Sequence, residues 1–389
     1  MDKRIERIRA CEEKIRELSA SEENRRREGF WADGDESDLL WPPKPKCEDV
    51  MPFTFDIERI GLAKILGFSL VRFYQDPVEY LLRSLESSIY LFEEFNDCTP
   101  IGPGVAYWPG VDFETCLFGM ASIRTEEDNW IGRDPVVKER VPVGSLAMPG
   151  FHESEAMKGI FDFYERIREI LSDDFDLEFP RWDRSSWGIA WQLRGIDNLI
   201  FDYIEDPEWL KDFLDFLTEA RFRWSDARLG MLGPGCRKVC LFNDEVCAPM
   251  VSPALYEDII IKNEIDVSEH FGGINYWHSC GNTSLFIPKI DTIPDVGMVH
   301  VSPWTDRAAA AEGYSKGKAI QVALHPVSEV ISPGSGEAMR QALLDIKDIF
   351  KGHRATVRAD GFEIMYSVER DVKQMKEWVR TANEVFLEA

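Results

Sequence analysis

The feature that most restricts how this chain can fold is the regular alternation of short apolar runs with helical patterns over its C-terminal half. Val239-Cys240-Leu241-Phe242 precedes a helix from Pro253 to Glu269, and Gly273-Ile274-Asn275-Tyr276-Trp277 comes next. Met298-Val299-His300-Val301, Ala319-Ile320-Gln321-Val322-Ala323 and Ala355-Thr356-Val357-Arg358 follow, with helices at Gly336–Phe350 and Glu369–Leu387. Strand, helix, strand, helix at this pitch predicts a parallel sheet, and over this length a closed α/β barrel. Such a barrel gathers its chemistry at the carboxyl ends of its strands.

The N-terminal part reads differently. Residues from Asp2 to about Arg27 form a highly charged helical pattern with a thin apolar stripe (Ile5, Ile8, Cys11, Ile15, Leu18). Such a helix suits an accessory arm packed on the body or on a partner subunit, as in a homodimer. A polar, Pro-rich connector spans Asp33 to Lys46, and helices follow around Ile57–Leu66 and Pro77–Glu94. Val105-Ala106-Tyr107-Trp108, Cys116-Leu117-Phe118-Gly119 and Trp187-Gly188-Ile189-Ala190-Trp191 read as strands or loops at strand ends. Longer helices cover Glu153 to Leu171 and Pro207 to about Leu229. The expected division is an arm and connector over residues 1–76 and a barrel over residues 77–389.

Composition enters chiefly as exclusion. A formal net charge of −25 disfavours nucleic acid and anionic membranes as partners. No run approaches the ~18 apolar residues of a membrane span, and Met1-Asp2-Lys3-Arg4-Ile5-Glu6 has no apolar signal core, so a cytoplasmic protein is expected. Eight cysteines without regular spacing read as reduced thiols, and the Cys236/Cys240 pair lacks the second pair that a structural zinc finger needs.

His278-Ser279-Cys280 is the sharpest chemical signal. In an extended segment residues i and i+2 point to the same side, so His278 and Cys280 aim at one point, as two ligands of a zinc ion would. Gly281 then lets the chain turn. Other polar residues just beyond strand ends are Asn243, Asp244 and Glu245; Ser302 and Asp306; His325; and Arg358, Asp360 and Glu363. Asp244, Glu245 and Asp360 are the candidate catalytic carboxylates, and Asp244 or Glu245 suits a ligand or general base. Asn243, Asp306, His325, Arg358 and Trp277 are candidate substrate-binding residues. Each has a plainer role open to it: Asp306 as a helix cap, His325 as a core histidine, Arg358 and Asp360 as a structural pair, and Trp108, Trp187, Trp191, Trp277 and Trp304 as packing.

Several longer motifs occur in order. Gly188-Ile189-Ala190 and Leu193-Arg194-Gly195-Ile196-Asp197-Asn198-Leu199 lead into Tyr203-Ile204-Glu205-Asp206-Pro207-Glu208. Asn243-Asp244-Glu245-Val246, Val251-Ser252-Pro253-Ala254-Leu255-Tyr256 and His278-Ser279-Cys280-Gly281-Asn282 follow. From about Pro77 onward the chain thereby resembles the uroporphyrinogen decarboxylase superfamily, especially its branch of corrinoid-linked methyltransferases acting between methylcobalamin and coenzyme M. The resemblance implies a distorted (β/α)8 barrel. In that branch zinc is held by the His and Cys of H-x-C and by a later Cys. His278 and Cys280 match the first two, but no cysteine follows Cys280. A carboxylate (Asp360, Glu363, Asp244 or Glu245) or Cys247 completes the site, or zinc binding has been lost. The Arg-rich N-terminal motif of the true decarboxylases has no counterpart here.

The resemblance therefore implies a zinc-dependent methyltransferase that moves a methyl group between a small methylated substrate or thiol acceptor and a corrinoid protein. The corrinoid rides on a separate partner, because this chain has no D-x-H-x-x-G cobalamin motif. Two rivals differ in what they require. A metal-free lyase acting on a tetrapyrrole or other carboxylate needs basic residues converging in the pocket (Arg358, Arg194, Arg307). A non-catalytic corrinoid- or tetrapyrrole-binding barrel needs neither metal nor turnover.

Overall fold

A computed structural model describes residues 3–32, 44–127, 129–131, 134–232 and 239–388. Eight parallel strands make the barrel: β1 (Phe53–Ile57), β2 (Gly104–Ala106), β3 (Asp176–Glu178), β4 (Val239–Phe242), β5 (Ile274–His278), β6 (Val296–Val301), β7 (Ala319–Ala323) and β8 (Ala355–Phe362). Six of them form one continuous sheet in the order β1-β8-β7-β6-β5-β4. β2 pairs with β3 separately, and the segment after β3 joins β4 through a parallel bridge between Arg184 and Phe242. Cys98 N–H donates to the Phe53 carbonyl (3.0 Å), tying β1 to the segment before β2. The result is a distorted (β/α)8 barrel, continuous on one side and stitched by short pairings on the other.

Register assigns the faces. Cys240, Tyr276, Met298 and Ala319 face one another in a small inner cluster, while Leu241, Trp277, Val299 and Ile320 point outward into the main core under the helices. Two residues further along each strand, Phe242, His278, His300 and Gln321 form the next inward layer. Asp244 and Cys280 lie one step above it, at the carboxyl mouth.

Several sequence-based boundaries move. β1 lies inside the segment assigned to the arm, because Phe53-Thr54-Phe55 is a short β-forming run whose strand ladder is made with the far end of the chain. The charged N-terminal pattern breaks at Ala20 into helices Lys3–Ser19 and Glu22–Glu28. Ser21 accepts from Asn24 N–H (3.0 Å) and starts the second one. Trp187–Trp191 is helix (Ser186–Arg194), not strand, since Ser185 caps it by accepting from Gly188 N–H (3.0 Å). Cys116 ends a short helix, Phe113–Cys116. Cys236 and most of the Pro-rich connector lie outside the described residues.

The arm packs on the body of its own chain. Ile8 and Ile15 are fully buried against the helix Pro77–Glu94, which starts at the Asp76 cap with Pro77 in its first turn. Buried Glu12 accepts from the N–H (2.8 Å) and hydroxyl (2.7 Å) of Ser172. Arg27 reaches buried Asp97 (3.3 Å), which also accepts from Phe55 N–H (2.8 Å), so the arm braces β1. Among the described residues, no helix is long and apolar enough to cross a membrane.

Candidate metal centre

The loops after β4 and β5 bring three donor atoms together. His278 Nε2 lies 3.2 Å from Asp244 Oδ1 and 3.1 Å from Cys280 Sγ, and one donor atom from each residue falls within 4.8 Å of the other two. His278 is buried, Asp244 partly buried and Cys280 open to the barrel mouth. The set is one nitrogen, one sulfur and one carboxylate oxygen with an open side. That is the donor chemistry of a three-ligand zinc site.

The surroundings fix the imidazole. Tyr276 Oη donates to Gln321 Oε1 and lies 3.1 Å from His278 Nδ1. With its proton committed to Gln321, the phenol accepts from Nδ1–H and leaves Nε2 turned toward Asp244 and Cys280. The ring sits between Phe242 (centroids 4.8 Å apart) and His300 (4.1 Å). Burial works to raise the Asp244 pKa. The hydrogen bond and charge of His278, with the charge of Arg184, outweigh it and hold the carboxyl well below its ordinary range. Burial, then Asp244, pushes the Cys280 thiol well above the ordinary thiol value. A bound cation is therefore what would favour the thiolate.

The turn carrying Cys280 is pinned from both neighbouring loops. Cys280 N–H donates to Asp244 Oδ1 (3.3 Å), and Ala248 N–H to the Asn282 carbonyl (2.9 Å). The Ser302 hydroxyl donates to the Gly281 carbonyl (2.6 Å). Gly281 must be glycine for contact reasons: a Cβ there would lie 2.1 Å from Cys247 Cβ.

The remaining candidates separate clearly. Glu245 is buried and paired with Arg184, and the helix Ser186–Arg194 comes so close that a Cβ on Gly188 would lie 2.6 Å from Glu245 Oε2. Asp360 pairs with Arg358 (2.8 Å) on the β8 wall of the mouth. Asn243 is fully buried, with no partner found for either side-chain polar atom. Asp306 caps the helix Arg307–Gly313, accepting from Ala309 N–H (3.0 Å). His325 Nδ1 caps the turn that follows it, accepting from Val327 and Ser328 N–H (3.2 Å each). Trp277 is a correction: it faces outward into the core and donates its indole N–H to Glu264 (3.0 Å), so it does not wall the pocket. Cys247 stays outside the donor cluster, 3.9 Å from Met250 Sδ, and Glu363 is exposed. Arg194 binds Asp202 (2.8 Å) and Arg307 binds Glu329 (2.8 Å), so the basic pocket required by a lyase does not assemble from them.

The sequence reading did not single out His300, Tyr276, Gln321, Asp56 or Glu58. Extending the i, i+2 alternation of His278 and Cys280 to neighbouring strands would have found the first three. Asp56 and Glu58 belong to the β1 segment that was read as arm and helix. Both are open to the mouth on one side and walled by protein on the others. That desolvation raises the Asp56 pKa, against Arg59 and Arg358, and raises Glu58 to about 7, with Asp56 and Asp360 adding to it. Burial, then the charge of His278, keeps His300 neutral, well below the ordinary histidine value.

The model of the family described as uroporphyrinogen decarboxylase (URO-D) matches residues 138–385. No curated protein matches the chain. Among solved structures, a methyltransferase from Methanosarcina mazei superimposes with a TM-score of 0.60 at 12% identity, over 91% of this chain and 95% of that one. At that identity the likeness is one of fold.

Proposed function

Because the chain belongs to the uroporphyrinogen decarboxylase (URO-D) family, we propose that it is a methyltransferase of that family, working at a zinc ion with a separate corrinoid protein. One observation carries the reading: Asp244, His278 and Cys280 present oxygen, nitrogen and sulfur within 4.8 Å at adjoining strand ends. Asp244 thus takes the place of the absent third cysteine. The fold-level likeness to a methyltransferase supports the same direction.

These residues fit zinc, and each has a definite task. His278 offers Nε2 while Tyr276 and Gln321 keep its proton on Nδ1. Asp244 and Cys280 supply two negative charges, which balance a divalent cation. Zinc bound at a site with an open position supplies Lewis acidity that lowers the pKa of a thiol or water. On the opposite wall, Arg358 with Asp360, and Asp56 with Glu58, form a polar surface against which a small substrate can be oriented. Glu58, with its pKa raised to about 7, can hold or release a proton near neutrality.

The rim supports a macromolecular partner. Met250, Leu285, Trp304, Met365 and Tyr366 are exposed (Trp304 60%) and come from four different loops after β4, β5, β6 and β8. Apolar side chains spread around an opening are covered by a body wider than the opening. A corrinoid protein presenting its cofactor face is such a body.

The test is metal content by mass spectrometry on protein purified without a metal-affinity tag. About one zinc per chain is expected in the wild type. It should be lost in His278→Ala, Cys280→Ala and Asp244→Ala. A wild type that neither contains zinc nor takes it up sinks the reading.

A further inference from the structure

We infer that His300 is a positioning residue: its Nδ1–H bond to the Ser279 carbonyl and its stacking against the His278 ring together hold the two H-x-C side chains at one point. The inference rests on the reading of Asp244, His278 and Cys280 as metal ligands, but the geometry it describes belongs to the chain itself.

Ser279 separates the two donors, so the plane of the Ser279–Cys280 peptide sets where the Cys280 thiol lies relative to the imidazole. Ser279 and its carbonyl are buried just beneath the mouth, and an unpaired carbonyl there is costly. His300 Nδ1 reaches it at 2.8 Å from the next strand, β6. The rest of the turn is held by other groups: Gly281 O by Ser302, and Asn282 O by Ala248 N–H. The carbonyl between the two donors is thus the one that His300 governs.

The same ring acts on His278 directly. Its centroid lies 4.1 Å from that of His278, tilted 36°, while Phe242 closes the other face at 4.8 Å and 37°. The His278 imidazole is sandwiched between β4 and β6, and rotation about its χ2 is blocked on both sides. Tyr276 fixes which nitrogen carries the proton, and His300 and Phe242 fix where the other one points. His300 is itself buried, so it serves the site through its neighbours.

Three variants separate the contributions. His300→Phe keeps a ring in the sandwich and removes the N–H, His300→Asn keeps a donor and removes the ring, and His300→Ala removes both. Co2+ is titrated into metal-stripped protein, reading affinity by chelator competition and the thiolate-to-cobalt charge-transfer band. Alkylation of Cys280 by iodoacetamide is timed in the stripped protein from the mass of its peptide. Expected are a loss of about 10–100-fold in Co2+ affinity for His300→Phe and His300→Ala, a shifted band, and an altered alkylation rate. A purely structural role would lower the melting temperature and leave the band and alkylation unchanged in the folded variants, which overturns the inference. Should the Phe and Ala variants not fold, His300→Asn is read alone, and wild-type affinity, band and alkylation together overturn it. If the wild type takes up no Co2+, the metal reading fails, and Cys280 alkylation still decides the role of His300.

Discussion

Glu264 behind β5 offers a measurement of how strongly the barrel core opposes charge. The side chain is buried between the helix Ile261–Phe271 and the outward face of the strand. Its Oε2 accepts from Tyr256 Oη (2.7 Å) and Trp277 Nε1 (3.0 Å), while Oε1 has no hydrogen-bond partner. Burial pushes its pKa from 4.5 to about 7, against the two donors. A carboxyl with a raised folded-state pKa binds its proton more tightly when folded. Its contribution to stability is complete below the unfolded value and is lost as pH rises through 7. The whole shift corresponds to about 3 kcal/mol, of which roughly 2.5 kcal/mol falls between pH 5 and 8.5. Glu264→Gln keeps an oxygen for Tyr256 and Trp277 and cannot ionise. Its added N–H group carries a fixed cost of about 1–3 kcal/mol that does not vary with pH. The assay is urea unfolding of both proteins at a series of pH values. The variant should gain on the wild type by roughly 2.5 kcal/mol from pH 5 to 8.5. Two stability curves running parallel across that range would refute the argument, whatever their offset.

Other expectations are simpler to state. Gly281→Ala, whose Cβ meets Cys247, should cost about 1–3 kcal/mol by overpacking. Adding Cys247→Gly should restore stability and metal content together, and failure of that rescue would show that the close contact is not the cause. Tyr276→Phe, which removes the acceptor for His278 Nδ1–H, should weaken zinc binding about 10–100-fold by chelator competition, and unchanged affinity would discount the tautomer argument. Glu12→Ala, which strips Ser172 of its acceptors, should lower stability by about 1–3 kcal/mol, and a melting temperature equal to the wild type's would count against the arm as a brace. Trp304→Ala should weaken association with the corrinoid protein proposed as partner at least ~10-fold by calorimetry while leaving zinc content unchanged. Loss of zinc instead would place Trp304 in the centre rather than on the rim.

Much of this was legible from the chain. The C-terminal strands could be read because each is a compact apolar run with a helix on either side. His278 and Cys280 could be read because strand geometry alone puts i and i+2 on one side. β1 could not, because Phe53–Ile57 is short and pairs with residues some three hundred positions away, a contact that no local pattern encodes. Trp187–Trp191 was misread because an aromatic, apolar run is ambiguous between strand and helix until its Ser185 cap is noticed. The choice of Asp244 among five candidates as third donor needed the cross-strand register, which also brought in His300 and Gln321. Trp277 went the other way, since the alternation that turns His278 inward turns its neighbour out.

The order of strands around the barrel also bears on how the molecule is made. From β4 to β8 every strand lies beside the next one in sequence, so that arc can assemble progressively through comparatively local contacts. β1 waits for β8, a partner near the opposite end of the polypeptide, and the Thr356 hydroxyl on the Pro52 carbonyl (2.9 Å) is part of that seam. During synthesis the N-terminal arm and β1 emerge long before the strand that completes their pairing. Closure therefore depends on the longest-range pairing in the sheet, and removing the last strand would leave an open edge. Asp244, His278, Cys280 and His300 all lie on that arc, so the donor cluster is held by pairings between sequence-adjacent strands and does not itself span the β1–β8 seam.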